Sequence, residues 1–355
     1  MDSRDALSGL WAQTAFDPPR GCGAPLGTGR LRAEPDDFIV EEELGFPPAG
    51  AGQHVLLKVR KRDANTQWVA RELAKACGCR PADVGYAGLK DRHAVAFQWF
   101  TVPRSARPLD AWRGFQGRDF EVLEAFAHSR KLPRGALAAN RFAIRLRGAA
   151  VEDERLAARI DWIGRRGVPN YFGPQRFGRG GGNLLRIGAG LPALRAPERG
   201  FVLSAARSLI FNGVLAERVR EGSWERLEAG DLANLDGRGS FFPIDEVDET
   251  LRERCERLDI HPTGPMWGRG IPRTRGRVSE AEGRMAACFH PAAELVEAAG
   301  MEQERRALRI AVRDLDWVRE ATAIVIRFRL ARGSFATTVL REIIDFEPAE
   351  GESMD

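Results

Sequence analysis

The sequence predicts an α+β protein in which two strand-rich end segments enclose an inserted middle of different texture. Three observations predict it. Short segments with alternating polarity fill the chain up to Arg147 and return between Ala307 and Leu330. The stretch from Gly167 to Asn183 turns abruptly to glycine, arginine and aromatic residues. Between Leu203 and Gln303 the longest patterns repeat at helical spacing.

In the first segment, Phe38-Ile39-Val40 reads as a strand running into Glu41-Glu42-Glu43. His54 to Arg60 alternates, with Val55, Leu57 and Val59 on one face. Asn65 or Thr66 is placed to cap the next helix, whose Trp68, Val69, Leu73 and Ala76 share a side. Pro81 ends that region, Val84 to Tyr86 leads into a turn at Lys90-Asp91, and Val95 to Val102 forms a strand with Val95, Phe97 and Trp99 on one side. In Asn140 to Arg147, Phe142, Ile144 and Leu146 face one way and Arg141, Arg145 and Arg147 the other. That arginine face suits either solvent or phosphates. A helix is expected over Glu152 to Arg165 and another, with Ser204 as cap, over Leu203 to Arg220. Gly230 to Gly270 reads mainly as turns, Ser279–Ala287 and Ala292–Gln303 as helices, and Ala307–Val312 and Thr322–Leu330 as strands. Gly333 to Glu342 closes the pattern as a helix capped by Ser334.

At 355 residues and 43% hydrophobic the chain has room for two domains. Its net charge of +4 permits a nucleic-acid partner without demanding one. Five scattered cysteines make neither a disulfide framework nor a zinc site, and the five histidines lack ligand spacing. These features, with no signal-like start at Met1–Asp5 and no apolar run of spanning length, point to a reduced, cytoplasmic setting. The acidic C-terminal tail is assigned no function.

Gly85 to Val95 holds the most chemistry. Asp91 stands between Lys90 and Arg92 at a strand-to-strand junction, and an aspartate so framed is expected to be ionised, a nucleophile or base rather than a proton donor. His93 is expected to shape the turn. In the Gly167–Asn183 stretch, Tyr171 and Phe172 suit base stacking and Gln175, Arg176 and Arg179 suit backbone contacts, although a domain junction plugged by Tyr171, Phe172 and Phe177 would have the same composition.

From about Gly27 to about Ile344 the chain resembles the TruD family of tRNA pseudouridine synthases. The blocks that carry the resemblance are Glu34-Pro35-Asp36-Asp37-Phe38-Ile39-Val40, Ala87 to Val95, Gly135-Ala136-Leu137, Asn140-Arg141-Phe142, Gly167 to Gly173, Gln175 to Gly178 and Gly333 to Thr337, in that order. The resemblance implies a catalytic domain centred on a mixed or antiparallel sheet, residues 1–165 plus 313–355, and a smaller inserted α/β domain, 166–312, the two forming a cleft for tRNA. It implies isomerisation of uridine 13 in the D-arm to pseudouridine without cofactor or metal. It makes Asp91 the catalytic aspartate, Phe142 the aromatic that packs on a flipped base and Asn140 its neighbour. Lys90 and Arg92 are placed to keep Asp91 ionised. Arg32 stands where the family often has lysine; it keeps the charge but cannot trade a proton at neutral pH. The expected partner is tRNA alone, with no membrane and no obligatory protein partner, and a monomer is the default. A synthase with a different or broader RNA target, a non-catalytic RNA binder and a hydrolase using Asp91 are the competing readings.

Overall fold

The computed structural model describes residues 9–105, 107–149 and 151–346, so the expectations for Met1–Asp5 and the acidic tail fall outside the described residues. The first segment runs α1 (Gly9–Phe16), β1 (Thr28–Leu31), β2 (Phe38–Leu44), β3 (His54–Arg62), α2 (Thr66–Cys77), β4 (Gly85–Tyr86), β5 (Val95–Pro103), β6 (Phe120–His128) and β7 (Leu137–Arg147). The middle holds α3 (Asp153–Arg166), β8 (Val168–Pro169), α4 (Gly182–Leu185), α5 (Glu198–Arg220), β9 (Leu232–Leu235), β10 (Phe241–Pro243), α6 (Glu249–Glu256), β11 (Ile260–Met266), α7 (Gly276–Cys288), α8 (His290–Ala298), β12 (Glu304–Ala307) and β13 (Arg309–Ile310). The chain returns through β14 (Arg313–Glu320), β15 (Ala323–Ala331), α9 (Ala336–Arg341) and β16 (Asp345–Phe346).

The two end segments build one mixed sheet of ten strands along the order β14-β15-β7-β2-β5-β3-β6, with β1, β4 and β16 at its margins. Only β2–β5 and β1–β16 pair in parallel within it. One face is buried. By register, Phe142 sits beside Val40 and Phe328, and Val40 beside Ala96. These side chains and their neighbours pack against Leu156, Ile160 and Ile163 of α3 and Val339 and Leu340 of α9. Farther along, Val55, Leu57, Val59, Phe100 and Val102 pack on Val69 and Leu73 of α2. On β5 the more buried side is thus Ala96, Gln98, Phe100 and Val102, not that of Phe97 and Trp99. The buried amide of Gln98 disguises that face in the sequence.

The middle of the chain makes its own four-stranded sheet, β10-β9-β11-β12, packed with α5, α7 and α8. Strand β11 carries Pro262 and Pro265, which hid it among the expected turns. It tolerates them because Ile260–Pro262 pair with β9 while Thr263–Met266 pair with β12, leaving each half edge-like on one side. β8 and β13 pair antiparallel and form the neck through which the chain leaves and re-enters. Gly167 opens that neck at φ +73°, where an added Cβ would meet the Ile310 carbonyl oxygen at 2.3 Å. Helix α1 packs on the middle region rather than on the large sheet: Phe16 lies edge-on to Phe177, and Asn212 donates to the Thr14 carbonyl.

Two expected caps are absent. α5 begins at Glu198, so Ser204 lies inside it, and α9 begins after Phe335 with no side-chain cap from Ser334. Asn65 does cap α2, accepting from the Gln67 amide at 2.8 Å.

Gly213 permits the close approach of α5 to α7 and Phe289: a Cβ there would lie 2.4 Å from the Phe289 ring and 2.8 Å from the Met285 sulfur. Alanine for glycine within a helix ordinarily stabilises by about 1 kcal/mol, but overpacking costs about 1–3 kcal/mol. Phe289 is fully buried and has no room to move, so overpacking prevails. Gly213→Ala is expected to lower stability by about 1–2 kcal/mol, read as a lower denaturation midpoint with unchanged slope.

Candidate active site

The segment Gly88 to His93 crosses between β4 and β5 over the buried sheet face, and four polar side chains on four adjacent strands lie beneath it. Lys61 of β3, Gln98 of β5, Glu42 of β2 and Asn140 of β7 are all buried. Glu42 is the hub. Its carboxylate pairs with Lys90 Nζ at 2.6 Å and accepts from the Trp99 amide at 2.9 Å. The Gln98 amide donates to the Gly88 carbonyl at 2.8 Å, while its oxygen accepts from Thr66 Oγ1 at 3.0 Å. Thr66 Oγ1 in turn accepts the Lys90 amide at 3.0 Å. Lys61 Nζ donates to the carbonyls of Ala64 and Asp91, each at 2.7 Å.

Asp91 is thereby presented outward, its side chain 54% exposed, while Lys90 turns inward. The cations expected to frame Asp91 are engaged elsewhere: Lys90 with Glu42, and Arg92 with Asp63 at 3.6 Å. An extended backbone sends successive side chains to opposite sides. The partner of Asp91 is Arg32, whose Nη2 donates to Oδ2 at 2.5 Å. Arg32 stands at φ +60° and its guanidinium lies 4.2 Å over the Phe38 ring. His93 does hold the turn, with Nδ1 3.0 Å from Asp63 Oδ1.

Phe38 joins this pair to the aromatic core. Its ring is edge-on to Phe142 at 6.0 Å, and Phe142 tilts against Phe328 at 5.3 Å. Phe142 is therefore a core side chain with 8% of its surface exposed. Asn140 is directly opposite Glu42, and its amide oxygen is buried without a partner.

The arginine face of β7 is laced with carboxylates. Arg141 pairs with Glu43 and Asp314, Arg145 with Glu320, and Arg147 with the fully buried Asp37. Arg141 is thus held by acidic neighbours in place of a phosphate. Tyr171 and Phe172 are buried in the core around α5 together with Phe177, so they plug the junction, although Phe172 also lines the cleft beside it. Arg176 is half-buried, donating to Ser204 Oγ at 2.8 Å and lying over Phe172, whereas Gln175 and Arg179 are exposed.

A cleft of about 340 Å³ separates the middle region from the β15–α9 turn. Arg238, Arg305, Arg306, Arg309 and Arg332 line it, with Asp236 as the one carboxylate among its lining residues. Burial, with Arg176 beside it, pushes Arg306 down to about 10, which leaves it charged at neutral pH. The cleft begins one residue past the partner of Asn140, since Leu330 pairs with Asn140 and Ala331 lines the cleft. The arginines beyond Gly230 were passed over in the sequence because they come from separate segments that only the fold brings together. Lys61 had a legible signal: it extends the Val55, Leu57, Val59 alternation onto the buried face. Among the described residues no group of three or more His, Cys, Asp or Glu is placed to hold a metal, and no helix is long and apolar enough to cross a membrane.

The family model described as tRNA pseudouridine synthase D (TruD) matches residues 23–191 and 190–343. The tRNA pseudouridine synthase D of Methylococcus capsulatus is 47% identical over 338 residues, covering 94% of this chain and 95% of that protein. Its counterpart from Nitrosococcus oceani is 44% identical over 339 residues, with 94% and 95% covered. A solved structure of the putative tRNA pseudouridine synthase D from Methanosarcina mazei, 21% identical, superposes with a TM-score of 0.71 over 95% of this chain and 98% of its own.

The Thr66 hydroxyl supports the loop at two points, so Thr66→Val removes both while keeping the shape. Amide exchange at Lys90 is expected to quicken about 5- to 10-fold, the worth of one net hydrogen bond; unchanged exchange there would remove Thr66 from the loop's support.

Proposed function

Since the chain belongs to the TruD family of tRNA pseudouridine synthases, we propose that it isomerises uridine 13 in the D-arm of tRNA to pseudouridine, with Asp91 as the catalytic aspartate. The observation that carries this reading is the outward-facing Asp91 carboxylate on a loop fixed from below and paired with Arg32. Residues 166–312, with α1 packed on them, serve as the inserted domain and the rest of the described residues as the catalytic one, a division supported by the β8–β13 neck and the two separate sheets. The arginine-lined cleft next to Asn140 takes the RNA backbone.

The target uracil leaves its stack to reach Asp91. In the ribose route, which we favour over nucleophilic attack, Asp91 takes the C2′ proton as the C1′–N1 electron pair leaves with uracil. The turned base adds through C5 to C1′, Asp91 returns its proton to C2′, and the C5 proton is lost as N1 gains one. Atoms and electrons balance with no redox step. Arg32 acts through charge and orientation, because a guanidinium has no proton to trade at neutral pH. Asn140 and Phe142, two residues apart on one buried face, back the site from the core side, and the Asn140 oxygen has no partner within the protein.

Asp91→Asn keeps the side-chain shape and removes the base. Single-turnover formation of pseudouridine on an unmodified tRNA is expected to fall by about 10²–10⁴-fold or more, with tRNA affinity retained. Site-resolved mapping of total tRNA from cells lacking the protein should show one D-arm uridine losing the mark, restored by native but not Asp91→Asn protein. A variant that still turns over would exclude Asp91 from the chemistry, and an unchanged tRNA map would exclude the substrate.

A further inference from the structure

Lys61 is fully buried at the end of β3, facing the underside of the catalytic loop. Its ammonium donates to two backbone carbonyls, Ala64 and Asp91, and no carboxylate among the described residues forms an ion pair with it. A charge kept out of water without an ion-pair partner is costly, and a neutral donor would satisfy two carbonyls at far less cost. The charge therefore has a use beyond filling space. The groups that act on it come from every side: Asp91 and Lys90 on the loop, Glu42 on β2, and Asp63 just beyond its own strand. Lys90 is neutralised by Glu42, and Asp63 is paired with Arg92. Asp91 remains the carboxylate with most to gain, and Arg32 is its only direct ion-pair partner among the described residues.

We infer that Lys61 is a positioning residue for the reaction at Asp91. Its buried ammonium clamps the Asp91 carbonyl, fixing the direction of the side chain, and supplies a second positive charge beneath the carboxylate. Arg32 holds the same group from the exposed side, so Asp91 is framed by two cations, neither of them its sequence neighbour. The inference rests on the reading of Asp91 as the catalytic group. Burial lowers Lys61 from 10.5 to about 8, against the raising effect of Asp91. The sign follows: the charged form prevails at neutral pH and is lost as pH rises through about 8, so the contribution to rate disappears on the alkaline side.

The test is single-turnover pseudouridine formation on an unmodified tRNA transcript between about pH 6.5 and about 10, with tRNA affinity and melting measured alongside. The native rate is expected to be level near neutrality and to fall, toward tenfold per pH unit, above about 8. Lys61→Arg, charged throughout this range, is expected to retain turnover and lose that decline. Lys61→Met is expected to fold and to bind tRNA, with a rate about 100-fold lower at neutral pH, as for a misplaced reacting group. The imide of uracil also ionises in alkali, and the Lys61→Arg profile separates the two: a decline unchanged in that variant overturns the inference, as does a native rate in Lys61→Met. Should Lys61→Met not fold, the Lys61→Arg profile decides in the same way. A native protein that forms no pseudouridine in tRNA takes down the reading of Asp91 and this inference together, whereas an active native protein whose alkaline profile is unchanged by Lys61→Arg takes down this inference alone.

Discussion

Four buried polar side chains crossing an otherwise apolar sheet face are the constraint on which the site depends. Gln98, Glu42 and Asn140 follow one another across three adjacent strands, with Val59 opposite Gln98, and Lys61 lies in the next row opposite Ala96. A polar group so placed is costly unless it is bonded; Lys61, Gln98 and Glu42 are bonded, whereas the Asn140 oxygen has no partner. Lys61, Gln98 and Glu42 each bond the segment Gly88–Asp91 once, so the loop covers this polar cluster. Loop and row stabilise each other. Removing one member of the buried Glu42–Lys90 pair would strand a charge, at a cost of about 3–5 kcal/mol. The exposed carboxylate of Asp91 thus gains a fixed direction from interactions that lie beneath it.

The rest of the molecule positions this site against a second surface. The parallel pairing of β2 with β5 brings Glu42 to the strand that follows the Asp91 loop. The β8–β13 neck sets the middle region against the β15–α9 turn, and the arginine-lined cleft lies between them. Arg306 and Arg176 have aromatic and neutral polar partners instead of carboxylates, unlike the arginines of β7. Guanidinium groups without carboxylate partners beside the proposed site suit an RNA backbone.

The sequence made much of this legible. Period-2 runs gave β2, β3, β5, β7 and β15, and the change at Gly167 marked the neck because a glycine is required where two strands meet so closely. Asp91 stood out from its own motif. What the sequence hid were relations between distant segments. Arg32 meets Asp91 across 59 positions, and nothing local announces it. Lys90 and Arg92 looked like its partners because proximity in sequence says nothing about which way a side chain points. Tyr171 and Phe172 have a composition equally suited to RNA and to core, and burial decided for the core. Strand β14 escaped notice because its one apolar side is only Leu315 and Trp317, half-buried among charged residues.

The most direct measurement is a structure of the protein bound to a D-arm RNA whose target uridine is replaced by a non-isomerising analogue. Because the loop is already held from below, its backbone should superpose on the free form within about 1 Å, with Asp91 against the target ribose and Arg32 still on the carboxylate. A loop that rebuilds on binding, or another carboxylate at that ribose, would contradict a preformed site built on the buried polar row.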